Sequence, residues 1–298
     1  MIDSQNISLK TTTLHITSGD IAGKNISLAD IPGEVFVWHD ILYDGPRNPG
    51  WPTDETLFAR SLFIERVTGG GLDRHYVLET FNTQYAKLKT LKSYGKIILW
   101  FDACLFDQSM LCHILTCMRF LGFLKAELLC VDAFPKIVPY NGLGQLSPLQ
   151  LESVYKQKRP LTDKQFLFAK RVDKAFANQD KTELQKLTNE IQTPLPWIPA
   201  AVSRWLQEQP DPDTGLGHLE QLALKAIKNG CSKPGEIFSR VSQQDTAPQF
   251  WGDITLWEKI NSLANREPPL VRITGPEKRL PQWEGISDLK SFRIFPTL

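Results

Sequence analysis

The chain has 298 residues, of which 42% are hydrophobic and 22% are charged, values that suit a globular protein with room for two domains. Its 34 basic and 33 acidic residues give a formal charge of +1, so no global field draws it to nucleic acid or to an anionic membrane. No apolar run reaches the roughly 18 residues of a membrane span, and residues 1–6 lack signal-peptide features. We therefore expect a cytoplasmic protein with no membrane partner.

The first 150 residues alternate apolar runs with helical patterns. Short apolar runs predict four strands, at residues 14–17, 35–38, 97–101 and 126–131. Helical periodicity predicts helices at residues 53–67, 72–94 and 108–121. Strands separated by helices favour right-handed crossovers and a mostly parallel, Rossmann-like sheet covered on both faces. The sequence therefore predicts an α/β domain over residues 1–150.

Acidic residues follow each of these apolar runs: Asp20, Asp40, Asp102 and Asp132. Asp107 lies in the loop that Asp102 begins. The carboxyl ends of parallel strands meet at one edge of a sheet, where open α/β sheets bind ligands, so this pattern predicts a shared acidic cleft. Aspartate is also favoured in turns and helix caps, so a purely structural role is the alternative for each residue.

Phosphate-binding motifs are incomplete. Gly19 and Gly23 follow the first predicted strand, but without the three-glycine dinucleotide spacing or the Lys-Ser/Thr ending of a P-loop. Backbone amides at a following helix start could still hold an anion. The segment 142–145, Gly-Leu-Gly-Gln, is a second candidate loop, and a tight turn is the alternative for both. The absence of Gly-x-Ser-x-Gly and His-Glu-x-x-His from this region argues against the commonest serine hydrolases and zinc proteases.

The five cysteines contain no Cys-x-x-Cys pair, which indicates free thiols in a reducing compartment. Residues 151–209 read as a helical connecting region, with a basic stretch at residues 156–174 that fits a solvated helix face better than a phosphate site. Residues 210–215, Pro-Asp-Pro-Asp-Thr-Gly, form the clearest linker.

Residues 210–298 have the element order of a winged helix. Three helices are predicted at residues 219–227, 234–241 and 254–264, followed by strands at residues 270–273 and 292–295. The third helix of such an α+β module can enter a DNA major groove. Here residues 253–262 carry two acids and one lysine, which suits phosphates poorly. A structural or protein-contact role is therefore favoured over DNA binding.

Four motifs together resemble a bacterial family known as domain of unknown function 1835. They are Leu-His-Ile with Gly-Asp at residues 14–20, Val-Trp-His-Asp with Asp-Gly-Pro at 37–46, Leu-Trp-Phe-Asp with Leu-Phe-Asp-Gln at 99–108, and Gly-Leu-Gly-Gln-Leu at 142–146. Residues 215–216, 251–253 and 257 look like the uncharacterised C-terminal module that often accompanies that family. Cys104 stands where the family commonly has an acidic residue, and residues 21–22 replace a small hydroxyl-bearing turn. Both departures weaken any metal or phosphate site that depended on those groups.

Three functional hypotheses follow. In the first, the acidic cleft binds or processes a phosphorylated or nucleotide-like ligand. Its catalytic candidates are Asp20, Asp40, Asp102 and Asp107, and Mg²⁺ is the candidate ion, held by Asp102 and Asp107. Its ligand-binding candidates are Gly19, His39, Gln108, Gly142, Gly144 and Gln145.

In the second hypothesis, the chain is a non-catalytic regulator that contacts a protein, or less readily DNA, through its C-terminal module. In the third, Trp38, Trp100, Asp102 and Asp107 are architectural and fix the loops through buried hydrogen bonds.

Overall fold

The computed structural model describes residues 12–246, 251–282 and 288–297. The expectation for residues 1–6 lies outside that part of the chain. About half of the chain is helical. Across the three described ranges, no helix combines the length and the apolar character needed to cross a membrane.

Five strands form the main sheet, in the order β2-β1-β3-β4-β5. Their bounds are β1 Thr13–Ser18, β2 Glu34–Trp38, β3 Lys96–Asp102, β4 Glu127–Val131 and β5 Arg159–Pro160. The first four strands pair in parallel, and β5 pairs antiparallel with β4. The prediction of an α/β fold with a mostly parallel sheet is therefore confirmed. The two-residue strand β5 was not predicted, because Arg-Pro carries no apolar pattern.

The described residues form eleven α-helices. Seven lie before the proline-containing turn at residues 194–197: α1 Asp20–Leu28, α2 Asp54–Val67, α3 Arg74–Lys89, α4 Leu105–Phe120, α5 Pro148–Tyr155, α6 Asp163–Ala177 and α7 Lys181–Thr188. Four follow it: α8 Ile198–Gln207, α9 His218–Lys228, α10 Pro234–Gln244 and α11 Asp253–Ala264. A separate antiparallel pair, β6 Val271–Thr274 and β7 Arg293–Pro296, ends the described chain.

Three helix ends differ from the sequence prediction by three or more residues. One is the end of α10, at Gln244 and not at residue 241. Helix α4 begins at Leu105, three residues before the predicted start, because Asp107 in its first turn accepts a hydrogen bond from the backbone of Asp102 and folds the loop back. Helix α3 ends at Lys89 and not at residue 94, since the Thr90 hydroxyl donates to a carbonyl of the last turn and closes the helix.

The described residues contain three apolar cores. The largest core joins one face of the sheet to α4, α6, α7 and α8 and contains buried residues from Leu14 to Trp205. Another packs α1 and α5 on the face of the sheet that carries Trp100. The third core lies within α9, α10, α11 and the β6–β7 pair, between Leu216 and Ile294. The predicted boundary between residues 209 and 210 falls between the third core and the other two, and the division into regions 1–150, 151–209 and 210–298 stays a prediction.

Buried polar contacts fix the C-terminal helices against the rest of the molecule. Arg204 on α8 donates to both carboxylate oxygens of Asp245, at 2.9 and 3.1 Å, and its guanidinium lies 5.0 Å from the ring centroid of Trp251. On another side, the Gln282 side chain donates to the Val67 carbonyl at the end of α2 (2.9 Å). These contacts join α8 to the segments after α10 and before α11, and the end of α2 to the loop after β6.

Candidate functional site

The strand order places a topological switch point at the carboxyl ends of β1 and β3. Because β1 lies between β2 and β3, the chain leaves β1 toward one side of the sheet and later returns on its other side. Open α/β sheets bind ligands where connections diverge in this way. We call the segments 18–22, 39–40, 102–108 and 140–145 the carboxyl-edge crevice.

Asp102 and Asp107 form a buried carboxyl pair at the base of this crevice. Asp107 accepts hydrogen bonds from the backbone N–H of Asp102 and from the Ser18 hydroxyl, both at 2.6 Å. Asp102 accepts from the Tyr140 hydroxyl at 2.7 Å and from the Leu143 backbone N–H at 2.8 Å. All four carboxyl oxygens thus contact donors of the chain, and the bonds tie β1, β3 and the 140–145 loop together.

Burial raises the pKa of both carboxyl groups, to about 8 for Asp102 and about 6 for Asp107. The charge of Asp107 adds to the increase in the Asp102 pKa, while the hydrogen bonds that both groups accept offset part of it. Burial therefore favours the protonated form of this pair over a wider pH range than for an exposed aspartate. Burial and the two neighbouring carboxyl groups also raise the pKa of the Cys104 thiol well above its usual value, which makes it a poor nucleophile.

The 140–145 loop packs closely over the carboxyl pair. Gly142 has a φ of 129°, and a Cβ there would lie 2.7 Å from Asp102 Oδ2, so the close approach requires glycine. Gly144 and Gln145 are exposed. The Gln145 side chain folds back, and its Oε1 accepts the Asn141 backbone N–H at 2.5 Å. Of the predicted ligand residues in this loop, only Gly144 and Gln145 are therefore open to solvent.

Gln108 lies beneath the crevice surface and is fully buried. Its amide nitrogen donates to the Asp102 carbonyl at 2.7 Å and to Cys130 Sγ at 3.3 Å. Its Oε1 has no hydrogen-bond partner among the residues that the structure describes. Gln108 thus joins the carboxyl ends of β3 and β4.

Gly19, Asp20 and His39 are brought together on the open side of the crevice. The chain passes through Gly19, at φ 75° and ψ 130°, into α1, whose first turn has no side-chain cap. The Asp20 carboxylate lies 3.0 Å from His39 Nε2, and both side chains are exposed. The His39 backbone N–H donates to the Gln84 amide oxygen at 2.6 Å, which fixes the turn after β2. These three predicted residues are adjacent and reach solvent.

Asp40 has a different environment. Its carboxylate binds Arg60 on α2 through two hydrogen bonds, at 2.9 and 2.5 Å, and both side chains are 1% exposed. Arg60 also donates to the carbonyls of Ile41, Asp44 and Pro46. This buried ion pair organises the loop after β2, so the geometry favours a structural role for Asp40 over the predicted catalytic one.

Within residues 12–246, 251–282 and 288–297, no group of three or more His, Cys, Asp or Glu side chains is placed to hold a metal ion. Asp132, the remaining predicted strand-end acid, is exposed and accepts a hydrogen bond from Trp197 Nε1 at 3.3 Å. Asp132 therefore lies at the exposed carboxyl edge of the sheet, directly after β4. The assignment of Mg²⁺ to Asp102 and Asp107 stays a prediction.

Sequence reasoning missed three residues that build the site: Ser18, Tyr140 and Arg60. Ser18 reaches Asp107 across 89 positions of sequence, and Tyr140 reaches Asp102 across 38. Local spacing contains no signal for such pairs. The one available signal was that buried aspartates require hydrogen-bond donors, but this signal does not identify the donor residues.

Comparisons with known proteins add little to this geometry. No protein-family model matches the sequence. No curated protein matches it either. Among solved structures, the chain is similar to the DNA-binding, cleavage and re-ligation domain of topoisomerase II from Plasmodium falciparum, with 13% sequence identity and a TM-score of 0.48. The match covers 96% of this chain and 47% of that one, so the chain spans about half the length of its neighbour.

Proposed function

We propose that the chain binds a small phosphorylated or nucleotide-like ligand in the carboxyl-edge crevice. One observation carries the proposal: at the divergence point between β1 and β3, the chain turns through Gly19 into an α1 whose first turn lacks a side-chain cap. Free N–H groups at the start of a helix and its dipole both favour an anionic group. Exposed Asp20 and His39 beside this turn offer hydrogen bonds to the remainder of the ligand.

The environment of the buried Asp102 and Asp107 favours a role in ligand binding over a role in catalysis. Asp102 and Asp107 already accept hydrogen bonds at every carboxyl oxygen, so they act as the floor that positions the loops. If the ligand is processed, the dyad of His39 and Asp20 is the solvent-open candidate for a general base. Mg²⁺ would then enter with the ligand phosphates, since it retains waters and needs few protein carboxylates.

Calorimetric titration with ADP and pyrophosphate, each with and without Mg²⁺, tests this proposal. We expect Gly19→Ala to weaken binding at least about tenfold, because the new Cβ adds backbone strain and narrows access to the amides. Gly122→Ala is the matched control: Gly122 also has a positive φ, at 68°, and also has no neighbour within 4 Å of the added Cβ. It lies after α4 and should keep the wild-type Kd. Equal affinities for the wild type and Gly19→Ala, or no binding by the wild type, would contradict the proposal.

We also propose that residues 210–298 form a winged-helix-like module, with α9, α10 and α11 followed by the β6–β7 pair. Its third helix, α11, turns Glu258, Lys259 and Ser262 toward a cleft against α2. That orientation supports a structural or protein-contact role over insertion into a DNA groove. The four sequence motifs support membership of the domain of unknown function 1835 family, which we also propose. We further propose a cytoplasmic location.

A salt series with duplex DNA separates these roles. Phosphate contacts release counterions, so true DNA binding would weaken steeply as salt rises. We expect no binding at about 0.15 M salt and no steep salt dependence below it. A Kd that rises by orders of magnitude between low and moderate salt would favour the DNA-binding alternative.

A further inference from the structure

The sequence contains two Asn-Gly pairs, Asn141–Gly142 and Asn229–Gly230. A pair of this kind can modify itself, because the glycine nitrogen can attack the side-chain carbonyl carbon of the asparagine and the glycine has no Cβ to obstruct the approach. The two pairs lie in different settings. Asn141 belongs to the loop between β4 and α5, at the carboxyl-edge crevice, whereas Asn229 directly follows α9.

The glycine N–H groups of the two pairs differ in their hydrogen bonds. The Gly230 N–H donates to the Ile227 carbonyl at 3.0 Å, so this bond at the end of α9 must break before the nitrogen can react. The Gly142 N–H donates no hydrogen bond to any residue of the ranges 12–246, 251–282 and 288–297. The Gly142 nitrogen can therefore react without the loss of a hydrogen bond of its own.

The Asn141 side chain is free to receive this attack. Asn141 is exposed, and its side-chain amide has no hydrogen bond to the part of the chain that the structure describes. Its backbone N–H alone is held, by Gln145 Oε1 at 2.5 Å. Gly142 is buried against Asp102, but burial does not prevent the reaction, because the two reacting groups belong to neighbouring residues.

We propose that Asn141 is a site of spontaneous deamidation. The Gly142 nitrogen forms a bond to the side-chain carbonyl carbon of Asn141, and the side-chain nitrogen leaves as ammonia with the proton of the Gly142 N–H. The product is a cyclic succinimide. Water then opens this ring at either of its two carbonyls and gives aspartate or isoaspartate. Both products carry a carboxylate that the asparagine lacked, and water is the only other reactant.

The isoaspartate product alters the loop that covers the buried carboxyl pair. Its main chain is longer by one carbon atom, because the former side chain now continues the backbone. The residues on either side are both held by Asp102, through the Tyr140 hydroxyl at 2.7 Å and the Leu143 backbone N–H at 2.8 Å. A longer chain between these two donors does not fit the present geometry, so isoaspartate at position 141 weakens their bonds to Asp102 and destabilises the fold.

Ageing of the full chain in mildly alkaline buffer tests the proposal, with digestion and mass spectrometry to measure aspartate and isoaspartate at each site. We expect Asn141 to deamidate at least about fivefold faster than Asn229, since breaking the Gly230 hydrogen bond adds to the barrier at that site. In concentrated urea the fold no longer distinguishes the two glycines, so the two rates should become similar. Asn141→Gln is the control variant: its longer side chain closes a ring less readily, and the rate at Asn229 should stay unchanged.

Ion-exchange chromatography then separates the aged products, because each carries an added negative charge. The isoaspartate form should unfold at a lower urea midpoint than the unmodified chain. Asn141→Asp should keep the wild-type midpoint, because it retains the main-chain length and its side chain is exposed.

Equal rates at the two sites in the folded chain overturn the proposal, as does a folded chain that yields no product at Asn141 while the chain in urea does. A wild-type midpoint for the isoaspartate form overturns the expected effect on the loop. These measurements use no ligand, so their outcome is independent of binding at the carboxyl-edge crevice.

Discussion

Replacing Asp40 with alanine should destabilise the protein by about 3–5 kcal/mol, the usual cost of removing one partner from a buried ion pair. The change leaves the Arg60 guanidinium buried without its carboxylate, since both side chains are almost completely enclosed. Urea unfolding monitored by tryptophan fluorescence measures the loss as a lower transition midpoint at unchanged slope.

Two further variants isolate the ion pair. Asp30→Ala is the control, because Asp30 is an exposed aspartate and its loss should change stability by less than about 0.5 kcal/mol. Asp40→Ala combined with Arg60→Leu should recover part of the lost stability, since no unpaired charge remains buried. Wild-type stability in Asp40→Ala, with loss of ligand binding or activity, would instead support the catalytic prediction for Asp40.

The second large effect concerns Asp107. Asp107→Ala removes the acceptor of two buried donors, the Ser18 hydroxyl and the Asp102 backbone N–H, and each unsatisfied donor costs about 1–3 kcal/mol. Asp107→Asn should cost less than about 1 kcal/mol at neutral pH. Its amide oxygen can accept the backbone N–H, and its amide nitrogen can donate to Ser18 Oγ. Comparable losses in the two variants would show that charge, and not hydrogen bonding, defines the role of this residue.

The carboxyl pair also gives the fold a distinctive pH dependence. Burial raises the folded-state pKa of Asp102 to about 8 from the 3.8 of an exposed aspartate, so the folded chain binds more protons than the unfolded chain between these values. The stability that this group contributes is therefore complete below about pH 4 and declines as the pH rises toward about 8. Asp102→Asn should flatten this decline in unfolding free energy measured from pH 5 to pH 8. A wild-type stability that rises over this interval relative to Asp102→Asn would contradict the raised pKa.

The strands of the sheet could be predicted because each is a short apolar run between polar segments. Residues 97–101 fall within β3, for example, and the acids after the runs do lie at the carboxyl edge. The three consecutive helices of the C-terminal region could also be predicted, since apolar residues recur with helical spacing in α9, α10 and α11. The spacing of apolar residues predicts strands and helices because it shows which side of each element is buried.

The sequence could not predict which side chains at the strand ends contact one another. The sequence predicted one acidic cleft, whereas hydrogen bonding divides the acids into three settings: the exposed Asp20, the ion-paired Asp40, and the buried pair of Asp102 and Asp107. Strand order decides this division, and it depends on packing between segments distant in sequence. Arg60 illustrates the difficulty, because a charged residue in a helical pattern predicts a solvated face and gives no sign of burial.

The most direct test of ligand binding at the carboxyl-edge crevice is the amide spectrum of the ¹⁵N-labelled chain during titration with ADP and Mg²⁺. We expect the largest shifts at the backbone N–H groups of residues 19–22 and 39, with the same shifts in Gly122→Ala and their loss in Gly19→Ala. Amides of these residues that stay unchanged at saturating ligand, or shifts confined to residues outside the carboxyl-edge crevice, would contradict the assignment of the site.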